Sequence, residues 1–305
     1  MTDTTPTDTL QSAPQTGAPN RLGIHALVWV GDTSPTSVET AIAQTAAAGY
    51  DILEFSLHDS ANLDVAGTKA LLAQHGLTTV CSRGLARDAD VSSDDPVVVA
   101  RGQRLLQESL GITAGIGGTI LTGALYSAFG KAPGPLTKTG RDNVVGVLQE
   151  LAADAARVGV TLGLEVCNRY ETNVVNTAHD ALVLADDIGA DNVMVHLDSY
   201  HMNIEEDDFV GPVLELGDRL GYVHIGENHR GYLGSGHLDF AAFFGALAQI
   251  DYRGAVTFES FSSAVLAESL SNDLAIWRNL WDDGFDLAVQ ARGYMADGLT
   301  AARQR

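Results

Sequence analysis

The sequence has few cysteines and little positive charge, and each shortage excludes a class of protein. Only Cys81 and Cys167 occur among 305 residues, too few for a disulfide framework. Both lie in apolar runs, which predicts buried free thiols and a reducing compartment. Lys and Arg number 18 against 39 Asp and Glu, so the net charge is −21. A field of this sign repels phosphate backbones and anionic lipids, which argues against nucleic acid and membranes as partners.

Long apolar runs and targeting signals are also missing. No segment reaches the roughly 18 consecutive apolar residues of a membrane-spanning helix. Residues 1–20 contain no Lys or Arg and no apolar stretch, so they do not resemble a secretory signal. Their content of Thr, Pro, Ala and Gln predicts a disordered N-terminal tail. Together with the free thiols, these features predict a cytoplasmic protein.

After residue 21 the sequence alternates between short apolar runs and longer helical segments. The runs are rich in Val, Ile, Leu and Phe and lack regular polar alternation, as expected of strands buried on both faces. There are eight of them: Leu22–Val30, Asp51–Leu57, Thr78–Gly84, Gly118–Ala124, Thr161–Cys167, Asn192–Asp198, Gly221–Gly226 and Ala255–Phe261.

The segments between these runs are predicted to be helices, and five of them end just before a glycine, a common C-terminal cap. The predicted helices are Ser37–Ala48, Asp64–His75, Pro96–Leu110, Thr139–Val158, Thr177–Ile188, Asp239–Ile250 and Leu266–Met295. A strand followed by a helix, repeated eight times, implies parallel crossovers and a closed sheet. We therefore predict an α/β fold, a single (β/α)8 TIM barrel over residues 21–298, with a C-terminal tail over 299–305.

Four adjacent predicted strands carry a polar side chain near their carboxyl ends, where active sites of such barrels form. These side chains are spaced by 33, 26 and 35 residues, each about one strand–helix unit, so they should converge on one rim. They are Glu165, Asp198, His224 and Glu259. Each could be an ordinary polar residue or helix cap, but the convergence of all four favours a shared ligand.

A divalent cation explains this cluster, because three crowded carboxylates without a counter-charge would have strongly raised pKa values. A ligand set dominated by oxygen favours Mg²⁺ or Mn²⁺, with Co²⁺ also suitable, over zinc. The sequence contains neither a dinucleotide fingerprint nor a phosphate-binding Gly-Lys-Ser/Thr loop, so we expect one metal ion and no organic cofactor.

The segments around these residues resemble the ketose 3-epimerases of the D-tagatose 3-epimerase and D-allulose (D-psicose) 3-epimerase family, which are xylose-isomerase-like barrels. The resemblance extends from about residue 21 to about residue 298 and is strongest over 161–263. The strings that carry it are EVCNRYETNVVNT, HLDSYHMNIEE, YVHIGENHRGYLGSG and FESF. Residues 126–139, rich in Gly, Pro and Lys, match least well.

The resemblance implies an isomerase of carbohydrate metabolism that epimerises free ketoses at C3. D-Fructose/D-allulose would be the main pair, with D-tagatose or L-ribulose as further candidates. It implies that Glu165, Asp198, His224 and Glu259 bind one divalent metal. Glu165 and Glu259 would also exchange the C3 proton on opposite faces of a cis-enediolate. Either glutamate could be the base for a given epimer.

Further substrate-binding residues follow from the resemblance and from position. The resemblance implies that Glu171 and His201 bind the sugar near O1 and O2, and that Arg230 contacts the substrate. His25 and Trp29, at the end of the first predicted strand, are expected to line the pocket, with a position in the core as the alternative for Trp29. Glu54 could reach the substrate or support the site from behind, or it could pair with a cation on the barrel rim. His196 could face inward and also support the site.

Other functions remain open on the same scaffold. An aldose–ketose isomerase, a hydroxypyruvate isomerase or an inosose dehydratase would use a similar metal barrel, and a non-catalytic sugar-binding barrel is a third class. The family implies a homodimer or homotetramer, and the apolar positions of Leu266–Trp281 offer surface for subunit contact. The small-molecule partner is expected to be a ketose.

Overall fold

The computed structural model describes residues 20–305, except for the side chains of Ser269 and Asp273. Eight parallel strands form a closed barrel in which each strand pairs with its neighbours in chain order. The predicted (β/α)8 barrel is therefore confirmed. The strands are β1 (Leu22–His25), β2 (Ile52–Ser56), β3 (Thr78–Ser82), β4 (Ile120–Thr122), β5 (Thr161–Glu165), β6 (Val193–Asp198), β7 (Leu220–Ile225) and β8 (Ala255–Phe258).

Helices surround this barrel, and most begin where a Ser, Thr or Asp side chain accepts a hydrogen bond from the first turn. They are α1 (Pro35–Ala47), α2 (Val65–His75), α3 (Pro96–Ile116), α4 (Lys138–Arg157), α5 (Ala178–Ile188), α6 (Ser199–Glu205), α7 (Gly211–Leu216), α8 (Phe240–Gln249), α9 (Glu268–Asp273) and α10 (Gly284–Arg303). Short 3-10 helices cover Ala26–Val28 and Gly217–Arg219. Among the described residues, no helix has both the length and the hydropathy to cross a membrane.

The core has two parts. Most apolar side chains lie between the strands and the surrounding helices. A smaller cluster inside the barrel contains Ile52, Val80 and Tyr222. This cluster closes the interior at the amino-terminal side, so the polar interior side chains lie at the opposite rim.

Two predicted helices differ from the structure. Helix α3 passes through Gly111, where an added Cβ would meet open space, and ends instead at Gly117, whose φ of 87° provides a left-handed cap. The predicted helix Leu266–Met295 is divided into α9 and α10 by an irregular segment in which Ala275 has φ 55°. Local sequence pattern does not distinguish a tolerated glycine from a cap.

The barrel extends further at both ends of its predicted range. Helix α10 continues to Arg303, Leu299 is buried, and Arg303 donates to the Asn20 side chain. The predicted C-terminal tail at 299–305 is therefore wrong for residues 299–303, because an apolar contact and a hydrogen bond hold them. At the other end, Asn20 is buried and donates to Tyr252 O, while the predicted disordered residues 1–19 lie outside the described range.

Candidate active site

The carboxyl ends of β5 to β8 bring four buried polar side chains together. Glu165 and Asp198 are the last residues of β5 and β6, and Glu259 directly follows β8. In the strand register Asp198 is the partner of His224 on β7. One helix cap also orients Asp198, because its Oδ1 accepts from Tyr200 N (2.7 Å) at the start of α6 and leaves Oδ2 facing the cluster.

The Nδ1 atom of His224 lies at the centre of this cluster. Its distances are 3.5 Å to Glu259 Oε1, 3.8 Å to Glu165 Oε1 and 4.0 Å to Asp198 Oδ2. Nδ1 is buried and has no hydrogen-bond partner among the described residues. A buried nitrogen surrounded by three carboxylate oxygens, with no hydrogen bond of its own, fits the first coordination sphere of a divalent cation.

The opposite side of the His224 ring is held by Glu54. His224 Nε2 donates to Glu54 Oε2 at 2.7 Å, and the Tyr222 hydroxyl donates to the same oxygen at 2.7 Å. A carboxylate that accepts from one ring nitrogen leaves the other nitrogen available to a metal and fixes the orientation of the ring. Glu54 is fully buried on β2 and therefore supports the site from behind, one of the roles that its position suggested.

His196 lies beside this pair, within β6. Its Nδ1 lies 2.8 Å from Thr122 Oγ1, and its ring centroid lies 4.2 Å from that of His224 at an interplanar angle of 85°. The ring therefore limits rotation of His224 by packing, and it faces the barrel interior as expected.

The pKa values of the cluster show how strongly its charges interact. Burial, together with the nearby carboxylates of Glu259 and Asp198, raises the pKa of Glu165 well above its usual range. Burial and Asp198 likewise raise the pKa of Glu259 to about 7. Burial alone would lower the pKa of His224, but Glu54 and Glu259 raise it to about 10. Without a metal the cluster thus retains protons that a divalent cation would displace.

His201 and Glu171 lie next to this cluster. His201 Nδ1 accepts from Asn168 N (3.1 Å), which leaves Nε2 directed at Glu165 (3.7 Å to Oε1) and Glu171 (3.9 Å to Oε2). Asn168 Nδ2 also donates to Glu171 Oε1 at 2.9 Å. One buried asparagine in the loop after β5 therefore positions both side chains toward the cavity.

Arg230 closes the same side of the site. Its Nη1 lies 2.7 Å from Glu259 Oε2 and 3.1 Å from Asp198 Oδ2, and its guanidinium lies 3.9 Å from the centre of the Tyr200 ring. Its backbone has φ 62°, in the left-handed region. The loop is anchored by the buried carboxylate of Glu227, which accepts from Gly234 N (3.0 Å).

His25 lines the cavity, and Trp29 does not. His25 Nδ1 accepts from Leu27 N, and Nε2 lies 3.3 Å from Ser82 Oγ and 3.9 Å from Glu259 Oε1. The 3-10 helix that follows β1 turns Trp29 away, so that its indole N–H donates to Thr45 Oγ1 (3.0 Å) and its side chain is not among those lining the cavity. The structure therefore corrects the predicted position of Trp29.

The cavity above these residues has a volume of about 600 Å³. Its outer wall is mostly apolar and comes from the segment between β8 and α10. Sequence reasoning did not identify Tyr200, Phe261 or Arg83 as lining residues. Arg83 directly follows β3, so the rule used for the strand ends could have identified it, whereas the two aromatic residues carry no distinguishing pattern.

Comparisons with known proteins agree with this geometry. The family model of the xylose isomerase-like TIM barrel matches residues 42–284. The chain is 52% identical over 275 residues to an L-ribulose 3-epimerase of Methylomonas sp. (strain DH-1), covering 90% of this chain and 96% of the relative. It is 45% identical over 283 residues to a ketose 3-epimerase of Arthrobacter globiformis, covering 93% and 98%.

A solved structure gives the same result. The crystal structure of a D-allulose 3-epimerase from Methylomonas sp. in complex with D-allulose superposes with a TM-score of 0.89 at 50% identity, covering 91% of this chain and 96% of that one. The resemblance seen in the sequence is therefore confirmed. The chain belongs to the ketose 3-epimerases of the xylose isomerase-like TIM barrel family and is an epimerase of the isomerase class.

Proposed function

We propose that this ketose 3-epimerase acts on free ketoses, with D-fructose and D-allulose as its main pair and D-tagatose and L-ribulose as further substrates. The observation that carries the proposal is the approach of Glu165 and Glu259 to the same nitrogen of His224 from strands three positions apart. Two carboxylates that face one point from different sides of a cavity suit the removal and return of a proton at one carbon.

We further propose that Glu165, Asp198, His224 and Glu259 hold one divalent cation, Mg²⁺ or Mn²⁺, with Co²⁺ as an alternative. The bare Nδ1 of His224 and the three surrounding carboxylate oxygens support this assignment. When bound, the cation acts as a Lewis acid that makes the proton next to the ketose carbonyl more acidic.

The chain's own residues would then carry the proton. One glutamate takes the C3 proton as its C–H bond breaks, and the other delivers a proton to the opposite face of C3, so that the sugar gains and loses one proton. Burial raises the pKa of both carboxyl groups, which suits groups that accept and return a proton. His201 and Glu171 would orient the C1–C2 end, and Arg230 would stabilise negative charge that develops on the substrate oxygens.

The test is an assay of D-fructose in D₂O with the metal-free protein and with added Mn²⁺ or Mg²⁺. Metal-dependent D-allulose with deuterium at C3 is expected, and Glu165→Gln or Glu259→Gln should each abolish it. Glu215→Gln, in an exposed His–Glu pair, is the matched control and should keep full activity. An aldose product, with deuterium at its C2 or at C1 of the recovered D-fructose, would instead support the isomerase alternative. Absence of turnover with metal bound would support the sugar-binding barrel.

We also propose a homodimer or homotetramer in the cytoplasm. Trp277 is 72% exposed at the mouth of the cavity, which favours its use in a subunit contact. The two buried free thiols favour a reducing compartment. Light scattering of the purified protein, compared with Trp277→Ser, tests the assembly. A monomer in both samples would contradict it.

A further inference from the structure

Arg83 is a buried arginine with unused hydrogen-bond donors in the wall of the active-site cavity. It directly follows β3 and lines the same cavity as Glu165 and Glu259. The residue is 6% exposed. Its Nε and Nη1 atoms are buried and have no hydrogen-bond partner in the described part of the chain.

The contrast with Arg230 shows how unusual this state is. Arg230 lies in the same cavity but is paired with Asp198 and Glu259. No carboxylate among the described residues forms an ion pair with Arg83, and Glu108 of α3 acts on it only at longer range. Burying a guanidinium whose N–H groups make no hydrogen bonds costs free energy. A ligand with acceptor oxygens would remove this cost, so a ligand is the expected partner of Arg83.

The position of Arg83 on the rim indicates which part of a substrate it meets. Arg83 N donates to Thr122 O of β4 (2.9 Å), and Glu165 N donates to Gly123 O just after that strand (3.2 Å). One strand therefore separates Arg83 from Glu165, a backbone separation of about 10 Å. His201 and Arg230 occupy the other side of Glu165, after β6 and β7. A ketose with C3 beside Glu165 and C1–C2 toward His201 extends its remaining carbons toward Arg83.

Two glycines create the space for this part of the cavity. A Cβ at Gly84 would lie 1.8 Å from Phe129 Cδ2, so the Phe129 ring packs directly on the backbone next to Arg83. Gly123 has φ 110°, and a Cβ there would lie 2.4 Å from Arg83 O. An aromatic wall beside unpaired donors is the composition expected of a sugar subsite, in which the ring contacts C–H groups and the donors bind oxygens.

We propose that Arg83 forms a subsite that donates hydrogen bonds to oxygen on the terminal carbon of the ketose, remote from C3. The inference rests on the proposed function and adds a determinant of substrate choice. A free hydroxyl and a terminal phosphate both offer oxygen acceptors at this end of the sugar, and a guanidinium binds both.

The experiment compares D-fructose, 6-deoxy-D-fructose and D-fructose 6-phosphate as substrates of the Mn²⁺-loaded protein and of Arg83→Met. The wild-type protein should prefer a sugar with terminal oxygen over the 6-deoxy sugar by about tenfold or more in kcat/KM. In Arg83→Met this ratio should fall to about one. Far-UV circular dichroism and the thermal unfolding midpoint show whether the variant is folded.

Arg87→Met is the matched control. Arg87 is exposed, contacts Lys131 O at 3.5 Å, and lies outside the active-site cavity, so its variant should keep the wild-type ratio. Preference for D-fructose identifies the hydroxyl as the partner of Arg83, and preference for the 6-phosphate identifies the phosphate oxygens. A ratio in Arg83→Met equal to that of the wild-type protein would overturn the inference.

Calorimetry of the binding of the same three sugars gives the corresponding ratio of affinities, which does not depend on turnover. A protein that binds the sugars with the expected Arg83-dependent ratio but epimerises none of them would contradict the proposed function and support the subsite. Turnover of D-fructose with no Arg83-dependent ratio in either measurement would support the proposed function and contradict the Arg83 subsite.

Discussion

At the residue scale, the orientation of His224 depends on a carboxylate that does not itself enter the cluster. Glu54→Gln replaces the charged acceptor of His224 Nε2 by an amide, which no longer defines which ring nitrogen carries the proton. We expect Mn²⁺ affinity to fall by about 10- to 100-fold, with the fold unchanged. Calorimetry measures the affinity, and the ring ¹⁵N shifts of His224 report its tautomer.

The exposed pair of His179 and Glu215 provides the control for this substitution. His179 Nδ1 and Glu215 Oε1 lie 2.8 Å apart on the surface, so Glu215→Gln removes the same type of contact far from the cluster. Its Mn²⁺ affinity should equal that of the wild-type protein. Equal affinities for Glu54→Gln and wild type would mean that packing by His196 suffices to orient the ring.

A second residue-scale prediction concerns protons released on metal binding. Metal ligation requires ionised Glu259 and a neutral His224, whose pKa values of about 7 and about 10 both lie above their usual values. Lowering the pH from about 8 to about 6 therefore adds protons that Mn²⁺ must displace, so affinity falls and proton release rises. Calorimetry in buffers of different ionisation enthalpy counts the protons. A count independent of pH would contradict the raised pKa of Glu259.

At the element scale, the end of α10 belongs to the barrel. Leu299 is buried on this helix, beside Gly298, where an added Cβ would lie 2.4 Å from the Phe244 ring of α8. Leu299→Ala should lower the free energy of unfolding by about 2 kcal/mol, because it leaves a cavity between the two helices. Thr300→Ala, at an exposed neighbour, should change it by no more than about 0.5 kcal/mol. Equal free energies of unfolding for the two variants in denaturant would mean that residues 299–303 form a tail and not part of the barrel.

Most elements could be predicted from the sequence because each buried strand is a continuous apolar run between glycine-ended helices. The same periodicity does not show where a helix passes through a glycine, as α3 does at Gly111. It also cannot show that a 3-10 turn after β1 redirects Trp29. These outcomes depend on contacts between distant segments, such as the hydrogen bond from the Trp29 indole to Thr45.

The site was predictable to a similar degree. Residues at strand ends converge because the barrel closes, so sequence spacing alone brought Glu165, Asp198, His224 and Glu259 to one rim. Arg83 follows the same rule. Its importance emerges only because its Nε and Nη1 lack hydrogen-bond partners among the described residues, which no sequence pattern records.

At the scale of the whole molecule, the proposed metal connects the second half of the barrel. Its four ligands come from consecutive strands, and the unfolded chain cannot present them together. Mn²⁺ at about 100 times its dissociation constant should add about 2.7 kcal/mol to the free energy of unfolding. Thermal unfolding with and without Mn²⁺ measures this, and Asp198→Ala should remove the shift. An identical Tm with and without the ion in the wild-type protein would contradict the metal site.

The left-handed backbone of Arg230 has a consequence for protein engineering. A non-glycine residue in this conformation costs about 1 kcal/mol or more, and here its side chain also bridges Asp198 and Glu259. Glycine at this position would relax the backbone and remove the guanidinium from the cavity. The backbone gain is smaller than the cost of leaving two buried carboxylates without their counter-charge, about 3 to 5 kcal/mol, so selection for heat resistance should retain arginine at this position.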